Sequence, residues 1–191
     1  MPNWCFTNYV FEGNREEIKD LYDKLKSLEE MEKPLVESGF GKKWLGCVIS
    51  LFGGNWEEIG CRGDFMDLEL PDDNTIQFHT ETAWGDLPEV WDLVLRNYAS
   101  VTYYFYAEET SVCYYATNDC EGKYFPERFI VDQIKEGTEC FENETDMFSY
   151  ITSVTGKVIT RREDMDAVIE TYNRENEENI ISVNEISFQD K

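Results

Sequence analysis

The stretch Trp4-Cys5-Phe6-Thr7-Asn8-Tyr9-Val10-Phe11-Glu12 is rich in aromatic and β-branched side chains and reads as a β-strand ended by Gly13. Asn14 follows as a helix cap, with Glu17 three residues on as its capping-box partner. Ile18, Leu21, Tyr22, Leu25 and Leu28 then recur at helical spacing, so one face of this helix is apolar. Asp20 and Lys24 can pair across one turn of its outer face. Next comes a hairpin: strands over 64–70 and 75–83 flank the turn Pro71-Asp72-Asp73-Asn74. A second helix opens in Gly85-Asp86-Leu87-Pro88-Glu89, where Asp86 can cap and Pro88 is tolerated in the first turn. Residues 101–107 make a fourth strand. The order β-α-β-β-α-β predicts an α+β fold with a ferredoxin-like core, two helices lying on one face of an antiparallel sheet.

Working outward, residues 35–61 are punctuated by six glycines and read as an irregular loop held by Trp44 and Trp56. Strands near 111–117 and 124–132 are expected to extend the sheet. A helix over 144–155 ends at Gly156, and Thr160 with Glu163 forms a capping box for another. A last strand is expected over 180–188. The division this suggests is a ferredoxin-like core over 1–107, then a sheet extension with C-terminal helices and a final strand over 108–191, packed together as one globular unit.

Of the 191 residues, 41% are apolar and 15% aromatic, enough to build a core despite a formal net charge of −23. Residues 1–95 carry 20 acids against 8 bases, and residues 96–191 carry 20 against 9. The charge is therefore a property of the folded surface and not of a tail. Such a surface repels nucleic acids and anionic membranes, whose binding needs Lys and Arg, and suits a basic partner. The start of the chain shows no signal-peptide pattern and no stretch suits a membrane span, so a cytosolic setting with reduced thiols is expected. Asn143-Glu144-Thr145 matches a glycosylation acceptor that a cytosolic chain would not use.

Met1-Pro2-Asn3-Trp4-Cys5, then Asn8 and Gly13, resembles the N-terminus of phage- and plasmid-borne proteins with a YubB-type ferredoxin-like domain. Phe78, Thr80 and Thr82-Ala83-Trp84, with Pro88 beyond, are similar to that family's segment before its second helix, and Glu108-Glu109 and Gly122 also fit. The resemblance covers residues 1–132. It departs after Trp84, where the family commonly has Ser-Pro-Pro and this chain has Gly85-Asp86-Leu87-Pro88, and residues 140–191 are unmatched. It implies a ferredoxin-like fold and an origin in a mobile genetic element. It supplies no catalytic residues.

The residues themselves point to no catalytic site. His79 is the only histidine, which leaves little room for a Ser-His-Asp or Cys-His arrangement. The six cysteines lack zinc-ligand spacing. Gly39-Phe40-Gly41-Lys42-Lys43 lacks the spacing and hydroxyl of a phosphate loop. Tyr104 and Tyr106 share a strand face and could stack bases, but the net charge opposes a polyanion. Glu108, Glu109, Asp119 and Glu121 sit near strand ends where carboxylates could take a hard cation. With 40 acids in the chain, some grouping arises by chance, and neither a metal nor a cofactor is expected.

Two functions follow as expectations. The first is an acidic interaction protein of a phage or mobile element that binds and inhibits a basic, nucleic-acid-binding host protein, by mimicking phosphates with carboxylates. Its candidate contacts are Glu29, Glu30 and Glu32; Asp72 and Asp73; Glu108 and Glu109; and Glu175, Glu177 and Glu178. The second is a small-ligand binder, or a carboxylate- or metal-dependent enzyme, using Trp84, Glu108, Asp119 and Glu121.

Overall fold

The computed structural model describes residues 3–189; Met1 and Pro2 of the N-terminal motif, and positions 190 and 191, lie outside the described residues. The α+β chain divides into two compact units, the first ending at Asn118 and the second starting at Asp119. The boundary thus falls beyond a strand at 114–117 that the sequence reading placed in the C-terminal segment.

The first unit contains β1 (Trp4–Glu12), α1 (Arg15–Glu30), α2 (Leu45–Leu51), β2 (Gly63–Asp72), β3 (Thr75–Ala83), α3 (Pro88–Leu95), β4 (Thr102–Glu109) and β5 (Tyr114–Thr117). Its strands lie in the order β2-β3-β1-β4-β5, each antiparallel to its neighbour. The register sets Tyr9 opposite Phe78 on one side and Phe105 on the other, and Phe11 opposite Ile76 and Tyr103. Directly opposed residues share a face, so these rings make one apolar layer. Ile18, Leu21, Leu25 and Leu28 of α1, with Val90, Trp91 and Val94 of α3, pack into the same core. Trp91 is fully buried and meets Phe78, Tyr9 and Phe11 at centroid distances of 4.7, 5.3 and 5.5 Å.

Three local expectations are corrected. Residues 35–61 are not wholly irregular, because α2 lies within them. Leu45, Gly46, Cys47, Val48 and Ile49 are all buried, so this helix has no polar face and gives no amphipathic period to read. Gly46 is required there, since a Cβ would come within 2.2 Å of the Trp44 ring. Asp86 does not cap α3; the cap position is Leu87, in the left-handed region at φ 50°, and it makes no side-chain cap bond. Glu17 does not simply close a box on Asn14: Asn14 caps α1 as expected, while the Glu17 carboxylate accepts hydrogen bonds from the Ser100 amide and hydroxyl.

The second unit holds β6 (Phe129–Gln133), β7 (Gly137–Phe141), α4 (Glu144–Thr155), α5 (Arg162–Glu175), β8 (Ile181–Glu185) and the two-residue β9 (Ser187–Phe188). β6 was expected to extend the first sheet; it is instead the centre of a separate sheet ordered β7-β6-β8. β7 escaped sequence reading because all but its last residue are exposed, leaving no apolar alternation. Phe129 and Val131 of β6 pack with Met147, Phe148 and Ile151 of α4 and Met165 of α5. Asn143, the glycosylation-like residue, is the N-cap of α4 and accepts from the Asp146 amide, while Gly156 ends that helix at φ 69°. The predicted Thr160–Glu163 box does not form, because the cap position of α5 is Arg161, which pairs with Asp164. All six cysteines are free thiols. No helix among the described residues is long and apolar enough to cross a membrane.

Trp91 carries the test of this core. Trp91→Ala should cost about 3–5 kcal/mol, since the surrounding rings cannot all collapse into the space. Denaturant unfolding followed by circular dichroism measures it; a loss below about 1 kcal/mol would mean the ring cluster is not the core.

Candidate functional site

The C-terminal ends of β3 and β4, the start of β5 and the residue before β1 meet at one end of the first sheet. There Asn3, Trp84, Asp86, Glu109, Val112 and Tyr114 line a cavity of about 350 Å³. Its floor is set by strand alternation. Tyr103, Phe105 and Ala107 of β4 face the core, and Glu109 continues that series, so its carboxylate turns inward while Glu108 turns to the opposite face.

Two carboxylates are buried at the cavity. Asp86 is 7% exposed and Glu109 5% exposed. The Tyr114 hydroxyl donates to Asp86 Oδ1 at 2.9 Å, and the Tyr9 hydroxyl donates to the Asp86 backbone carbonyl at 2.9 Å. The Ser111 amide donates to Glu109 Oε1 at 3.0 Å, joined by the Ser111 hydroxyl. The second oxygen of each, Asp86 Oδ2 and Glu109 Oε2, is buried with no hydrogen-bond partner. An unmet buried acceptor costs about 1–3 kcal/mol, and more when charged. Nearby, the Cys5 thiol is pushed up to about 11, chiefly by burial and further by the charges of Asp86, Glu109 and Glu108, against a lowering contact with Thr7. Cys5 is thus a buried thiol and not an activated nucleophile.

The backbone around the cavity is strained. Trp84 (φ 69°), Leu87 (φ 50°) and Cys113 (φ 53°) are non-glycine residues in the left-handed region. Bulky residues rarely adopt it, and each such residue costs on the order of 1–3 kcal/mol that the surroundings must overcome. The Trp84 amide is held by the Asn3 carbonyl at 2.9 Å. Its ring is 66% exposed, and the Arg62 guanidinium lies 4.8 Å from the ring centroid.

Of the ligand residues expected from sequence, only Trp84 lines this cavity. Glu108 accepts the Tyr106 hydroxyl at 3.1 Å on the opposite sheet face. Asp119 and Glu121 belong to the second unit. Asp119 accepts backbone amides of Lys123, Tyr124 and Phe125 at 3.0, 2.7 and 2.9 Å. Glu121 is exposed. Sequence reading missed Glu109's inward turn, although its place two residues after Ala107 was the available signal. It also missed Asp86 and Tyr114, whose meeting depends on a contact 28 residues apart in the chain.

The acids expected to meet a partner are scattered. Asp73 pairs with Arg15 at the start of α1, whereas Glu29, Glu30 and Glu32 lie at its far end, about 24 Å away for 16 residues of helix. Glu29 is held by Lys26 and Lys43, Glu178 by Lys135, and Asp72 accepts the Asn74 amide in its turn. Glu108 and Glu109 face opposite ways, and Glu109 is not on the surface at all. Glu30, Glu32, Asp72, Glu175 and Glu177 remain exposed, with no cation at ion-pair distance among the described residues. Glu175 and Glu177 lie at and just beyond the end of α5, in the second unit. His79 is half-buried, with Nδ1 3.5 Å from the Asp67 carboxylate, and Tyr104 and Tyr106 are half-buried on β4. Among the described residues no group of three or more His, Cys, Asp or Glu side chains is gathered as metal ligands.

Comparison with family models, with curated proteins and with solved structures finds no match for this chain.

Tyr114→Phe removes the one side-chain donor to Asp86 and should destabilise the fold by about 1–3 kcal/mol, read by urea unfolding; an unchanged midpoint would mean Asp86 is solvated. Asp119 predicts a pH effect in the other unit. Burial alone would raise its carboxyl, but the amides of Tyr124, Phe125 and Lys123 and the charge of Arg128 outweigh it and hold it below its ordinary value of 3.8. A depressed carboxyl stabilises fully above its unfolded value and loses that contribution as pH falls through the folded one. Asp119→Asn should therefore flatten the fall in stability below pH 3.8, measured as thermal midpoint against pH. A wild-type slope in the variant would assign the acid sensitivity elsewhere.

Proposed function

We propose that this chain is an acidic binding protein for a basic, nucleic-acid-binding partner, and that it acts as an inhibitor of that partner. The supporting observation is how the few basic side chains are used. Arg15, Lys19, Lys24, Lys26, Lys43, Lys135, Arg161, Arg162 and Arg174 all sit in ion pairs with the chain's own acids. Lys42 and Arg128 donate to backbone carbonyls. With 40 acids against 17 bases, internal pairing leaves a large carboxylate surplus at the surface. Such a surplus attracts cationic proteins at long range and repels nucleic acid directly.

The finer reading follows the N-terminal resemblance. The first unit is a ferredoxin-like core enlarged by α2 and β5, supported by the order β2-β3-β1-β4 with α1 and α3 as the connecting helices. The chain belongs to a phage or other mobile element and acts in the host cytosol. Its target is a defence protein with a basic nucleic-acid channel, such as a CRISPR effector or a restriction enzyme. Exposed Glu30, Glu32, Asp72, Glu175 and Glu177 stand in for phosphates there.

The test is capture from host lysate at low and high salt, followed by competition with DNA. Capture of a nucleic-acid-binding defence protein that weakens with salt and is displaced by DNA is the expected result. Glu30→Lys with Glu32→Lys, or Glu175→Lys with Glu177→Lys, should weaken it. Binding unaffected by both reversals would eliminate charge mimicry, and no specific capture at either salt would eliminate the partner reading.

A further inference from the structure

The geometry points to the cavity at Trp84, Asp86, Glu109 and Tyr114 as a binding site for a guanidinium group, the side chain of an arginine on the partner. Three features select that chemistry. First, Asp86 and Glu109 are each more than nine-tenths buried, and each directs one unpartnered carboxylate oxygen at the cavity they line. Their other oxygens are already engaged by Tyr114 and Ser111, so both carboxylates are fixed in position before any ligand arrives. What is lacking is a pair of N–H donors carrying positive charge.

Second, the wall includes an exposed indole. A flat, delocalised cation can stack on it while its edge donates to the carboxylates, which a compact ammonium does less well. The chain's own Arg62 already lies over the Trp84 ring, so this indole accepts a guanidinium in the native fold. Arg62 itself does not line the cavity.

Third, the volume of about 350 Å³ suits one side chain and is near the lower end of ligand sites. Among the described residues no three metal-ligating side chains gather at the site, which favours an organic cation over a divalent ion. The strained Trp84 and Leu87 hold the indole and Asp86 in place, consistent with strain kept for a site rather than relieved.

The arginine source rests on the proposed partner; the guanidinium chemistry does not. Nuclear magnetic resonance of the full chain separates the two. Ethylguanidinium, N-acetyl-arginine amide, N-acetyl-lysine amide and N-acetyl-citrulline amide are titrated in turn, reading the Trp84 indole N–H and the amides of residues 84–87 and 109–114. The expected result is saturable shifts confined to these signals for ethylguanidinium and the arginine amide. Citrulline, the neutral isostere, should bind at least about tenfold more weakly, and lysine should fall between. Asp86→Asn with Glu109→Gln should abolish the shifts while keeping the hydrogen bonds from Tyr114 and Ser111. Trp84→Ala, at an exposed ring, leaves the fold intact and should narrow the gap between arginine and lysine. Absence of saturable shifts, equal binding of citrulline, or the same shifts in the double variant would overturn the site. So would stronger shifts from magnesium or calcium. Binding of ethylguanidinium but not of the arginine amide would keep the guanidinium site and overturn the arginine anchor in favour of a free guanidino compound. A chain that passes here but captures no basic protein would refute the proposed partner and leave the site standing.

Discussion

The first unit depends on Tyr9. Its ring lies in the middle of the central strand, stacked on Phe78 at 5.2 Å and in contact with Trp91, Tyr103, Phe105 and Phe11. Its hydroxyl does not end in the apolar layer but reaches the backbone carbonyl of Asp86 at 2.9 Å. Burial drives this hydroxyl well above its ordinary pKa, so it remains a donor at any pH at which the fold exists. One side chain thus links the sheet, the helix layer and the loop between β3 and α3. A phenylalanine would pack as well but leave that carbonyl without its partner.

That link explains why the loop tolerates its backbone. Trp84 and Leu87 both occupy the left-handed region, and a free loop would relax away from it. Here the Trp84 amide is bound by Asn3, the Asp86 carbonyl by Tyr9 and the Asp86 carboxylate by Tyr114, while the Thr82 hydroxyl donates to the Gly85 carbonyl. These four contacts come from β1, β3 and β5, which are themselves fixed by ladder pairing. The strain is over-determined by the sheet, so the unmet carboxylate oxygens stay at the cavity instead of turning out to water.

The sequence made the strands and most helices legible where one face is buried and the other wet. β1, α1, the β2–β3 hairpin and α4 all show that contrast. It fails in two opposite ways. α2 is apolar all round, and β7 is almost wholly exposed, so neither has a period to detect. The site was harder. Glu108-Glu109 reads as a solvated acidic step, yet strand alternation splits it into a half-buried residue bonded to Tyr106 and a buried one at the cavity. Asp86 reads as a helix cap, a local role, but its partners Tyr9 and Tyr114 are 77 and 28 residues away. Local rules place a residue on an element; long-range pairing decides what its side chain meets. Trp84 was legible as a candidate only because an aromatic between a strand and a helix stands out without knowledge of its neighbours.

Surface charge and the cavity act over different distances. A field from evenly spread carboxylates reaches about one Debye length, roughly 8 Å at physiological salt, and pulls in any cationic protein with little discrimination. Exposed acids also keep their water, so each adds little to the affinity of a formed complex. Asp86 and Glu109 have already been stripped of water by the fold, so a cation meeting them faces little of the usual desolvation cost. Their oxygens are fixed, so the match depends on where the donors of the cation point as well as on its charge. A chain with only the surface acids would bind basic proteins weakly and without selection. A chain with only the cavity would select well but encounter its ligand at an ordinary diffusional rate. Having both assigns encounter to the surface and discrimination to two buried oxygens at the end of one sheet.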